Sequence, residues 1–179
     1  NSMLFPFTRV NGVGLLGEAD TVAVSGAGST ATGSTITDYD WDLTSGSGTG
    51  PFTDATGVAA TFAAGVLDGP TSTSVGVQTT CLGVVDSDTA AVAVTNVAPT
   101  LTTTIPASAS ENDPVVFGVI ATDPGPDTFT YLWDFGDGFA STAQAPTHTY
   151  PDDGSYSVTI TVDDGADTSV GTGTIVVAN

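Results

Sequence analysis

The chain has 179 residues, room for one large domain or two small ones, and sets 20 acidic residues against a single basic one, Arg9, for a formal net charge of −19. That balance repels nucleic-acid phosphates and anionic lipid headgroups, so neither is an expected partner. A hydrophobic content of 40% argues against disorder, no apolar run reaches the ~20 residues that span a bilayer, and the lone Cys81 excludes an internal disulfide.

Glycine, proline, threonine and valine are plentiful, lysine is absent, and short β-branched runs alternate with Gly/Asp/Pro turns, which predicts an all-β fold. In chain order, Asn1 to Phe7 lacks the basic region of a signal peptide, so a mature or excised fragment is expected. Leu4, Phe5 and Phe7 make this start unusually apolar. They are either the lead-in of a first strand that covers its own unit, or a contact to a neighbouring subunit or preceding module through strand addition at a sheet edge. Repeated head to tail, that second arrangement builds an open filament. Glu18-Ala-Asp-Thr-Val22, Asp38-Tyr-Asp-Trp-Asp-Leu43 and Val92-Ala-Val-Thr-Asn96 follow, and each returns later as Glu111-Asn-Asp-Pro-Val115, Thr130-Tyr-Leu-Trp-Asp-Phe135 and Ile175-Val-Val-Ala-Asn179. This internal repeat divides the chain into residues 1–96 and 97–179, joined by a short linker, Thr95 to Thr100, whose Pro99 limits its flexibility.

The second half carries the clearest strands. Val115, Phe117, Val119 and Ala121 share one face of a first strand, and Phe129, Tyr131, Trp133 and Phe135 one face of a second. Tyr156, Val158, Ile160 and Val162 alternate with Ser and Thr along a third, and Thr168 to Val177 reads as the last. Asp137-Gly138, Asp153-Gly154 and Asp164-Gly165 are turns.

Tyr131-Leu-Trp-Asp-Phe-Gly-Asp-Gly138, His148-Thr-Tyr150 and Gly154-Ser-Tyr-Ser-Val-Thr-Ile-Thr-Val-Asp-Asp-Gly165 together resemble the PKD family, whose signature is a WDFGDG turn, an HxY segment and a GxYxVxLxV strand. The first half resembles it more loosely. Trp41 is kept, the FGDG turn is lost, Thr71 stands in the place of Tyr156, and Gln78 and Thr79 in those of Asp163 and Asp164. The resemblance implies two tandem Ig-like antiparallel β-sandwiches, outside the cell, in prokaryotic surface-layer, adhesion or secreted-hydrolase proteins. Trp41 and Trp133 would then fill the two cores, and Tyr156 would form a tyrosine corner.

No enzyme constellation is present. His148 is expected as a packed or hydrogen-bonded framework residue, and Cys81 as a small thiol without a base beside it. Carboxylates are the abundant reactive groups, and hard cations take several oxygen ligands from Asp-rich loops. In the sandwich the resemblance implies, the loops holding Asp123, Asp127, Asp163 and Asp164 share one end of the second half. PKD modules with calcium sites point to Asp123, Asp127 and the Asn96 region. Glu18, Asp20 or Asp68 from the first half would face the linker. The alternative is that these aspartates form solvated turns. The expected function is a non-catalytic structural or adhesive spacer of a prokaryotic surface or matrix protein, with neighbouring modules or copies of itself as partners. The second reading is an accessory module of a secreted hydrolase that binds polysaccharide or protein.

Overall fold

The computed structural model describes residues 6–7, 15–18, 20–32, 34–43, 52, 54–65 and 67–179. The chain forms two compact units, Asn1–Asn96 and Val97–Asn179. Unit 1 contains β1 (Pro6–Phe7), β2 (Leu15–Gly17), β3 (Thr21–Ser25), β4 (Thr30–Ala31), β5 (Asp38–Asp42), β6 (Ala55–Thr56), β7 (Ala59–Ala63), β8 (Thr71–Cys81) and β9 (Val84–Thr95). Unit 2 contains β10 (Thr100–Thr104), β11 (Ser108–Ser110), β12 (Pro114–Val116), β13 (Gly118–Thr122), β14 (Thr130–Asp134), β15 (Ala140–Ser141), β16 (Thr147–Thr149), β17 (Gly154–Asp163) and β18 (Thr168–Ala178).

Each unit is a sandwich. In unit 2 a five-stranded sheet, ordered β11-β18-β17-β14-β15, packs against the ladders β10-β13 and β12-β16. Period-two patterning builds the core between them: Val115, Phe117 and Val119 from one side meet Trp133, Phe135, Val158, Ile160, Val162, Ile175 and Val177 from the other. The strand run 114–122 breaks at Phe117, whose N–H donates to the Pro146 carbonyl instead of continuing one ladder. The chain crosses between sheets around Pro106, because β10 pairs antiparallel with β13 while β11 pairs parallel with β18. A proline at that point forfeits no ladder donor.

Unit 1 repeats the plan with sheet β2-β9-β8-β5-β6 and the ladders β3-β7 and β1-β4. Its core gathers Val24, Phe62, Trp41, Val75, Val77, Val92 and Val94. Pro6 and Phe7 pair with Ala31 and Thr30 of the same unit, while Leu4 and Phe5 lie outside the described residues.

Strand register corrects one expectation. Tyr156 pairs with Ile175, and Trp133 with Ile160. In unit 1 Thr73 pairs with Val92, and Trp41 with Val77. Thr73, and not Thr71, therefore occupies the place of Tyr156, and Thr80 and Cys81, not Gln78 and Thr79, those of Asp163 and Asp164. The two-residue slip keeps the same face of the strand, so alternation alone does not detect it.

Candidate functional site

The polar residues of the second unit's motifs meet one another. Asp137, from the turn after β14, places its Oδ2 2.7 Å from His148 Nε2 on β16. The imidazole stacks on Phe135 at 4.2 Å between centroids and meets Tyr150 edge-on at 4.7 Å. Tyr150 is fully buried and donates its hydroxyl to the Phe135 carbonyl at 3.2 Å. Its phenol is pushed up from 10.0 to about 12, first by burial and then by the Asp137 and Tyr156 charges. Tyr156 donates its hydroxyl to the Asp152 carbonyl four residues back, at 3.0 Å, which ties the loop before β17 to that strand. Gly136 makes the intervening turn with φ 82°, and a Cβ there would lie 2.5 Å from the Ser157 carbonyl oxygen, so only glycine fits. Trp41 and Trp133 are both fully buried. The Trp41 indole N–H donates to the Gly57 carbonyl at 2.7 Å, while that of Trp133 meets no acceptor.

The acidic residues of unit 2 collect at one end. The loop 123–129 joins β13 to β14, and Thr130 pairs with Asp163 at the start of the β17–β18 turn. Asp123 Oδ1 accepts from the Gly125 N–H at 3.0 Å, and its Oδ2 is buried without a hydrogen-bond partner. Asp123 and Asp127 each bring one carboxylate oxygen to within 4.8 Å of the other. Two like charges at that spacing in a half-buried loop repel. Oxygens no farther apart than that are close enough for both to ligate one hard cation, whose bonds to oxygen run roughly 2.3–2.6 Å for calcium. Asp163 and Asp164 serve their own turn: Asp163 Oδ1 accepts from Gly165, and Asp164 Oδ1 from Ala166 and Asp167.

Glu18 is buried and its Oε1 accepts from the Gly69 N–H at 2.6 Å. Asp20 Oδ2 accepts from Gly17 in a surface turn, Asp68 is exposed, Asn96 is half-buried and Pro99 is buried. Cys81 is a buried free thiol at the end of β8. The Asp137–His148 contact was not foreseen from the sequence. Its signal was there in the FGDG and HxY segments, eleven residues apart, each supplying half of one pair.

Fold and polar framework together define a tandem of Ig-like β-sandwich modules. The structure of an amphioxus IgVJ-C2 molecule shares that fold over 91% of this chain and 99% of its own, at 10% identity and a TM-score of 0.52. A family model described as the PKD domain matches residues 96–178. Through its second unit, the chain belongs to the PKD domain family. It is similar to the PKD1 domain of the Vibrio cholerae metalloprotease PrtV, at 33% identity over 46% of this chain and 96% of that one, with a TM-score of 0.37. It is also similar to a microbial collagenase of Vibrio alginolyticus, 44% identical over 59 residues, which is 32% of this chain and 7% of the collagenase. The chain thus spans a small fraction of that relative. Among the described residues, no helix is long and apolar enough to cross a membrane.

Proposed function

We propose that this chain is a non-catalytic, extracellular accessory segment of a secreted or surface-attached prokaryotic protein, working as a spacer that positions other modules. One observation carries the reading: the chemically capable side chains of the PKD motifs are spent on the fold. His148 is stacked and paired with Asp137, and Tyr150 and Tyr156 are tied to backbone carbonyls. A general base needs reach to a substrate proton, and here the imidazole lies between Phe135 and Tyr150. The similarity to parts of a collagenase and a metalloprotease favours an accessory role beside a hydrolase over a purely structural one. Co-sedimentation of the purified chain with insoluble collagen, chitin and cellulose separates the two. Retention on any of them supports the accessory reading, and recovery in every supernatant favours the spacer alone.

Calcium at the loop 123–129 belongs to the same reading. Asp123 and Asp127 would hold the ion, which would neutralise their mutual repulsion and give the buried Asp123 Oδ2 a partner. Thermal unfolding in millimolar-range calcium and then in chelator tests it. The wild-type midpoint is expected to rise with calcium, and Asp123→Ala with Asp127→Ala to lose that rise. An identical midpoint with and without the ion would remove calcium from the account.

A further inference from the structure

Each unit turns its chain away from a sheet edge beside its core tryptophan, and the two turns are built differently. Trp41 pairs with Ala55 and Trp133 with Ser141, so Gly57 and Ala143 stand at equivalent places, each two residues further on. The next ladder follows at the same distance in both units. Phe62, opposite Val22, comes five residues after Gly57, and His148, opposite Val115, five after Ala143.

In unit 1 the backbone closes this corner. The Gly57 N–H donates to the Tyr39 carbonyl at 2.8 Å, and the Gly57 carbonyl accepts the Trp41 indole N–H at 2.7 Å. The next carbonyl, of Val58, accepts from the Gly26 N–H at 2.8 Å. Gly57 has a φ of 102°. A Cβ there would meet nothing within 4 Å, so the corner needs glycine for its backbone angle and not for space.

Unit 2 replaces these bonds with weaker ties. Ala143 stays out of the left-handed region, which among the described non-glycine residues is entered by Leu82 and Asn112 alone. Ser141 stands where unit 1 has Ala55, and its Oγ accepts the Ala143 N–H at 3.3 Å, a local bond that competes with the ladder. β15 accordingly ends at Ser141, whereas β6 runs one residue past Ala55 to Thr56. Gln144, in the place of Val58, sends its side chain to the Val119 carbonyl at 3.1 Å. The Trp133 indole N–H is left fully buried without an acceptor, and Thr142 to Ala145 are exposed at every residue. A buried donor without a partner favours any rearrangement that supplies one.

We propose that residues 142–145 of unit 2 are a strap that lifts locally and lets water reach the Trp133 indole N–H, while β14, β17 and β18 stay paired. The orphaned donor lowers the cost of this opening, because it gains a hydrogen bond to water and gives none up. The Trp133–Ser141 pair bounds the strap on one side. On the other, the Pro146 carbonyl holds the Phe117 N–H at 2.9 Å. The corner is then where unit 2 first admits water, short of unfolding. This goes beyond the spacer reading, does not depend on it, and uses none of the residues assigned to calcium.

The chain has two tryptophans, so hydrogen exchange followed by nuclear magnetic resonance reads two indole N–H signals. Protection is taken for each group relative to its own rate in an unstructured peptide. In the wild type the Trp133 indole is expected to be protected roughly tenfold or more weakly than the amide of Ile160, its ladder partner. The Trp41 indole is expected to match the amide of its own partner, Val77. Ser141→Ala with Ala143→Gly copies the unit 1 corner, and should raise Trp133 protection to that of Ile160. Ala55→Ser with Gly57→Ala makes the reverse exchange, and should weaken the protection of Trp41. Equal protection of the Trp133 indole and the Ile160 amide in the wild type overturns the proposal, and that comparison needs no variant. So does a Ser141→Ala, Ala143→Gly chain whose Trp133 indole exchanges as fast as in the wild type.

Discussion

Tyr150 shows how a single residue links the core of unit 2 to pH. Its hydroxyl bonds the Phe135 carbonyl inside the sandwich, and its phenol is raised from 10.0 to about 12, burial contributing most. The raised value means that the fold favours the neutral phenol. The stability it contributes is complete below the unfolded value near 10.0 and is lost as pH rises through about 12. Unit 2 is therefore expected to unfold in base across that window, read as loss of near-ultraviolet dichroism. Tyr150→Phe should flatten the alkaline limb and, having lost one hydrogen bond, be about 1 kcal/mol less stable at neutral pH. An alkaline limb unchanged by the substitution would place the sensitivity elsewhere.

At the scale of elements, β17 was legible in advance. The alternation of Tyr156, Val158, Ile160 and Val162 with Ser and Thr is a direct reading of a pleated strand with one buried face. The crossing near Pro106, the interruption at Phe117 and the true equivalence of Thr73 with Tyr156 were not legible, because each depends on which partner strand lies alongside. The tyrosine corner lies between these cases. The residue type and its place after Asp153-Gly154 suggested it, and the 3.0 Å bond to Asp152 realises it. Tyr156→Phe removes that bond and is expected to cost roughly 0.5–1.5 kcal/mol. A midpoint drop of several degrees is expected for a domain of this size. The loop 151–154 should also become easier to cleave under limited proteolysis. A variant with wild-type melting and cleavage would show the corner to be dispensable.

For the molecule as a whole, the two units have separate cores, one around Trp41 and the other around Trp133. Residues 97–179 expressed alone are accordingly expected to unfold cooperatively, and to keep the near-ultraviolet signal of the packed Phe117, Trp133 and Phe135 rings. A fragment that binds hydrophobic dyes and lacks that signal would mean the second core needs the first. Net charge acts at this scale too, and keeps the chain soluble.

The sequence by itself determined the all-β class, the repeat on either side of Asn96 and the likeness of the second half to PKD domains. These rest on local alternation, on turn residues and on motifs whose spacing survives along the chain. It also named Asp123, Asp127, His148 and Trp133. Tertiary structure alone decided what those residues meet. It set a carboxylate oxygen of Asp123 within 4.8 Å of one from Asp127, turned His148 onto Asp137 and Phe135, and left the Trp133 indole N–H without an acceptor. The reason is physical. Periodicity fixes which face a side chain takes, whereas distance, burial and backbone sign follow from the register between strands far apart in the chain.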